Sequence, residues 1–174
     1  RSVETAREER FRRLLEDALG TVAPAGRAAV LARGYRAAYE AAWRPVPGAP
    51  ELLTALRAAG FSIAVVTNNV IVEQQQKLRQ CVLDVFVDAL VTSEEVGVAK
   101  PELRIFEAAL DRLGLDAAHA VMVGDAWGTD IAGAIAAGIR PVWFNRRAAA
   151  SPDRAVAELA ALEPTDHAVG VIRG

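Results

Sequence analysis

A single cysteine, Cys81, excludes any disulfide within the chain and fits a reducing, cytoplasmic compartment. Set in an apolar stretch, it reads as a small buried hydrophobe rather than a reactive thiol. No apolar run approaches the roughly 18 residues that a membrane-spanning helix needs, so no membrane association is expected. Lysine and arginine are dispersed and the net charge is only −2, which leaves no basic patch to draw in nucleic acid. The two histidines, His119 and His167, lack partners at metal-ligand spacing, which argues against a zinc site or a triad base. No Gly-x-Gly-x-x-Gly follows a strand, which disfavours a dinucleotide-binding domain. What remains is 174 residues with 52% hydrophobic side chains, enough to bury one core with a small appendage.

Glu4 to Leu19 carries Phe11, Leu14, Leu15 and Ala18 among charges, one face of an amphipathic helix. Gly20 ends it, and a second, alanine-rich helix is expected from Ala25 to Trp43. Arg44-Pro45-Val46-Pro47-Gly48 is the clearest linker, so a helical segment 1–44 and an α/β segment 45–174 are expected. Beyond it, helices alternate with short apolar runs: Phe61–Val66, Ala89–Val91, Val121–Val123 and Pro141–Phe144 read as strands. After Arg146 the expectation is a weak alanine-rich helix and a last strand over Ala168–Ile172. Repeated β-α units of this length predict a doubly wound parallel sheet with helices on both faces.

The chemistry-bearing residues stand at strand ends. Thr67 and Asn68 follow one strand, Lys100 ends the loop Ser93–Lys100 before Pro101, and Asp125 and Asp130 follow another strand. A parallel sheet brings its carboxyl ends to one rim, where ligands bind. Taken singly, Thr67 and Asp130 would be helix caps, Asn68 a turn residue and Lys100 a solvated cation. Together they make a site for an anion held through a hard cation. Two unit charges about 4 Å apart interact by about 4 kcal/mol at an effective dielectric near 20, so a phosphate facing two aspartates needs an intervening cation. Oxygen ligands such as these suit Mg²⁺.

Val66-Thr67-Asn68, Val98-Ala99-Lys100-Pro101 and Gly124-Asp125 with Asp130 resemble the second, third and fourth motifs of the haloacid dehalogenase-like (HAD) superfamily, in its phosphatase branch. The run Ser93–Pro101 is most similar to the branch that contains pyrimidine 5′-nucleotidases. The resemblance spans nearly everything from Pro47 to Asn145. It implies a Rossmann-like core and Mg²⁺-dependent hydrolysis of a small phosphorylated substrate through an aspartyl-phosphate. Thr67 and Asn68 would hold the phosphoryl group, and Lys100 would neutralise it. Asp125 would ligate the metal, and Asp130 would ligate it or orient its water. The helices before Pro45 would be part of a cap that shapes substrate choice.

One motif of that family is absent. Asp-x-Asp-x-Thr, which would supply nucleophile and general acid/base, occurs nowhere in the sequence. In the family its strand lies centrally, between those ending at Thr67 and Val123. With Arg1 rather than Met in first place, the expectation is a leading segment of about 40 to 60 residues at ordinary element lengths. The chain alone is then expected to be inactive. Two alternatives differ in what they need: a non-catalytic HAD-like protein binding a phospho-ligand or partner, and a 2-haloacid dehalogenase, which has no use for the Asp125–Asp130 pair. Trp127 is expected to pack against the cap or a neighbouring strand, Trp143 to be core, and Arg146 and Arg147 to be solvated.

Overall fold

Among the described residues the first part of the chain holds two helices, α1 (Val3–Leu19) and alanine-rich α2 (Arg27–Ala41), joined by a turn. The computed structural model describes residues 3–174, with side chains from Thr5 onward. By internal contacts the chain divides into two units, one ending at Arg44 and the other running from Pro45 to Gly174. In the first, the α2 side carries aromatic rings four residues apart. Tyr35 stacks on Tyr39 with centroids 6.0 Å apart, Tyr39 meets Trp43 edge-on at 5.7 Å, and Phe11 of α1 lies 5.6 Å from Tyr35. The outer side of α1 is laced by ion pairs from Arg12 to Glu9 and Glu16, 2.6 and 2.7 Å long.

The second unit alternates helix and strand: α3 (Ala49–Ala58), β1 (Ala64–Thr67), α4 (Ile71–Gln80), β2 (Ala89–Thr92), α5 (Ser93–Val96), α6 (Leu103–Leu113), β3 (Val121–Gly124), α7 (Ala132–Ala136), β4 (Arg140–Phe144), β5 (Ala157–Leu159) and α8 (Thr165–Arg173). Every strand pairing is parallel, which is the α/β class that the helix–strand alternation predicts. The sheet is in two pieces. Among the described residues β1 pairs only with β2, and β3, β4 and β5 form a separate three-stranded piece in that order.

One helical layer nevertheless covers strands of both pieces. On one face α6 and α7 bury Ile105, Phe106, Ala109 and Ala134 against Val91 of β2, with Ala64 and Val66 of β1 and Met122 of β3 around them. On the other, α3 and α8 bury Leu52, Leu56, Ala168 and Ile172 against Val142 and Leu159, joined by Ile63 and Val121. Successive residues such as Val121 and Met122 go to opposite layers, as the strand pleat requires. β1 and β3 therefore share the α6–α7 layer without pairing with each other, and among the described residues each keeps an edge without a β partner.

Two expectations for the tail are overturned. Ala168–Ile172 is helical, inside α8, because Ala168 and Ile172 lie one turn apart and both enter the layer against α3. The last strand is β5 instead, and no helix forms between Arg146 and Val156, where turns and an extended loop lead to it. The loop after β2 also contains the short helix α5, whose N-cap Thr92 accepts the Glu95 N–H through its hydroxyl.

Candidate functional site

Thr67 is the last residue of β1 and stands opposite Thr92, the last of β2. It is half-buried and does not cap α4, whose N-cap is Val70. Asn68, the next residue, reaches across to the loop before α6. Its side-chain oxygen accepts the Lys100 N–H at 2.7 Å, and its amide nitrogen donates to the Lys100 carbonyl at 3.0 Å. The Asn68 amide thus spends one acceptor and one donor on the main chain of Lys100, and its share in holding a ligand would fall to its second N–H. The Lys100–Pro101 peptide is cis.

Clamped in this way, Lys100 turns its ammonium inward. Nζ donates to the Val66 carbonyl of β1 at 2.7 Å and pairs with Asp130 Oδ1 at 2.8 Å. Both side chains are largely out of solvent, 11% and 8% exposed. Two of the three N–H groups of the ammonium are engaged, leaving one donor unspent. The bridge fixes the polarity of the whole site, since it joins the carboxyl end of β1 to the segment after β3. The strand ends of the two sheet pieces therefore meet at Lys100.

Asp130 reaches this position through an unusual turn. Trp127–Ile131 wind as a π-helical turn directly before α7, so Asp130 is not the helix cap that its place in the sequence allows. Asp130 Oδ2 accepts the Ala126 N–H at 3.1 Å, and Thr129 Oγ1 lies 3.3 Å from Oδ1. Gly124 makes the fold-back possible: a β-carbon there would stand 2.6 Å from Asp130 Oδ2 and 2.7 Å from its Cγ. Asp125, one residue beyond β3, is exposed. Its carboxylate has no hydrogen-bond partner among the described residues, while its carbonyl accepts the Trp143 indole N–H at 3.2 Å.

The structure therefore joins Asn68, Lys100 and Asp130 in direct contact and sets Thr67 and Asp125 at the adjoining strand ends. Among the described residues no three acidic, histidine or cysteine side chains cluster as a metal cage. The donors present are two carboxylates, one exposed and one with lone pairs to spare. That set fits Mg²⁺, which keeps several waters and takes only one or two protein carboxylates beside substrate oxygens. Sequence reasoning missed the Val66 carbonyl and Trp143. A main-chain acceptor leaves no trace in residue identity, and a buried tryptophan at a strand end reads as core. Trp127 packs edge-to-face on Trp143, with centroids 5.0 Å apart, which is the neighbouring-strand contact expected of it.

Comparison with known proteins places these features in context. The haloacid dehalogenase-like hydrolase family model matches residues 2–138. The ribulose-1,5-bisphosphate 5-phosphatase of Halopiger xanaduensis is 39% identical over 166 residues, covering 93% of this chain and 67% of that protein. The pyrimidine 5′-nucleotidase YjjG of Escherichia coli is 42% identical over 110 residues, covering 63% of this chain and 48% of YjjG. In structure, magnesium-bound YfnB of Bacillus subtilis superposes with a TM-score of 0.80 at 28% identity, covering 98% of this chain and 73% of that one. The chain spans between about half and two thirds of the length of such curated relatives.

Proposed function

The chain belongs to the haloacid dehalogenase-like hydrolases, and from that premise we propose that it works in a Mg²⁺-dependent phosphomonoester hydrolase acting on a small phosphorylated metabolite or nucleotide. The observation that carries this reading is the Lys100 bridge between the Val66 carbonyl and Asp130, which ties the end of β1 to the segment after β3 around one ammonium. Relatives that act on ribulose 1,5-bisphosphate and pyrimidine 5′-nucleotides support the substrate class.

In this mechanism the Thr67 hydroxyl binds a phosphoryl oxygen, and the unspent Lys100 N–H faces the transferring group and offsets its charge. Asp125, with Asp130, would hold Mg²⁺, which supplies further neutralisation of phosphoryl charge when bound. A carboxylate attacks phosphorus, the bond to the ester oxygen breaks, and the alcohol leaves with a proton from a general acid. Water then hydrolyses the acyl phosphate and frees phosphate. No Asp-x-Asp-x-Thr stands in these 174 residues. The nucleophile is therefore assigned to a further strand, seated in the interruption between β1 and β3. The helices up to Arg44 are read as part of a helical cap that shapes substrate choice. The free, buried Cys81 suits a reducing cytoplasm.

A panel of phosphorylated metabolites with Mg²⁺ tests the proposal. The whole gene product should release phosphate, the 174-residue chain should not, and Asp125→Asn should abolish turnover in the whole product. Full turnover by the 174-residue chain would refute the placement of the nucleophile. Equal activity of Asp125→Asn and the parent would refute the metal assignment.

A further inference from the structure

The peptide group linking Asp125 to Ala126 is gripped at both poles. Its carbonyl oxygen takes the Trp143 indole N–H at 3.2 Å, and its N–H goes to Asp130 Oδ2 at 3.1 Å. Asp130 is in turn fixed by Lys100 at 2.8 Å. Trp143 is itself held in place. It is 5% exposed, lies opposite Gly124 in the β3–β4 register, and receives the Trp127 ring edge-on at 5.0 Å. A buried indole N–H needs an acceptor, and here the acceptor is the main chain of exposed Asp125.

We propose that Trp143 is a positioning residue for the metal-binding loop, clamping the Asp125–Ala126 peptide so that Asp125 meets Mg²⁺ through its side chain and not its carbonyl. The inference rests on the reading of Asp125 as a metal ligand. Without the indole donor the peptide keeps only its N–H bond to Asp130, its carbonyl is free to compete for the cation, and the carboxylate is held less firmly in direction.

Mg²⁺ alone is the probe, titrated into the full protein by calorimetry and followed through the tryptophan indole resonances. Trp143→Phe keeps an aromatic ring but removes the donor, and should weaken Mg²⁺ binding by about tenfold or more, as loss of a partner that orients a metal ligand does. Trp127→Phe keeps the Trp143–Asp125 bond and should leave Mg²⁺ affinity unchanged. If Trp143→Phe lowers the melting temperature yet binds Mg²⁺ as the parent does, Trp143 is only structural and the inference falls. The parent gives a check independent of any variant's folding. The Trp143 indole resonance should move on Mg²⁺ addition and lose that response in Asp125→Asn, and a resonance that stays put in the parent overturns the proposal. If Asp125→Asn leaves Mg²⁺ affinity intact, it is the metal reading that fails; if it weakens binding while Trp143→Phe does not, only the positioning role fails.

Discussion

Lys100 and Asp130 are the residues whose removal should be felt most, because each is the other's charge partner out of water. Lys100→Met leaves the Asp130 carboxylate buried without its cation and the Val66 carbonyl without its donor. The cost expected for breaking such a pair from one side is about 3–5 kcal/mol, read as a loss of unfolding free energy in urea. Adding Asp130→Asn to the same chain should recover part of that loss, since the stranded charge is gone. A double variant no more stable than Lys100→Met would show that the pair is not coupled. At this scale the sequence was readable wherever a residue's own chemistry announced it. Lys100, Asp125 and Asp130 stand out as charges at the ends of apolar runs. Asn68 stands out too, but its structural work, two hydrogen bonds to the main chain of Lys100, depends on a loop 32 residues away and cannot be inferred from position.

Between elements, the clearest polar tie outside the rim joins α3 to the residue before β1 and the residue before β2. Asp88 accepts the Ile63 N–H at 2.8 Å and pairs with Arg57 from the last turn of α3. The Ile63 N–H, aided by the Arg57 guanidinium, holds the Asp88 carboxyl below the ordinary aspartate range. A carboxylate whose pKa is lower folded than unfolded binds fewer protons in the native state. Its stabilisation is therefore complete above the unfolded value and fades as pH falls through the depressed folded one. Asp88→Asn should flatten this part of the acid limb of the stability–pH curve while leaving neutral-pH activity in place. Urea melts of parent and variant at stepped acidic pH would show it, and parallel acid limbs would count against it. The group is exposed enough that salt should shrink the difference. Elements were legible where one period dominated: α6 buries Ile105, Phe106 and Ala109 on a single stripe. The tail misled because Val169, Val171 and Ile172 are β-branched, the composition of a strand, whereas the Ala168/Ile172 spacing served a helix packed in the α3 layer. β5 escaped notice for the opposite reason, since Ala157-Glu158-Leu159 is too short and too ordinary to signal anything alone.

Across the whole α/β unit, the feature with most consequence is the break between β1 and β3. The α6–α7 layer runs across it, while among the described residues β1 and β3 each keep an edge without a β partner. In a parallel sheet alternate residues direct their amides to opposite sides, so half the amides in each of these strands face a neighbour and half face the break. Backbone donors seek partners, and an unpaired edge of this kind can take one more parallel strand. Hydrogen exchange separates the possibilities residue by residue. In the 174-residue chain, the amides of Ala64–Thr67 and Val121–Gly124 that face the break should exchange quickly, while those directed at β2 and β4 exchange slowly. In the whole gene product the break-facing set should become protected to the level of its neighbours, because a seated strand supplies the missing acceptors. Equal protection of both sets in the 174-residue chain would mean that the two sheet pieces close on each other in solution. The rim would then be built from the residues present, and the assignment of the nucleophile to a strand in the break would fail with it.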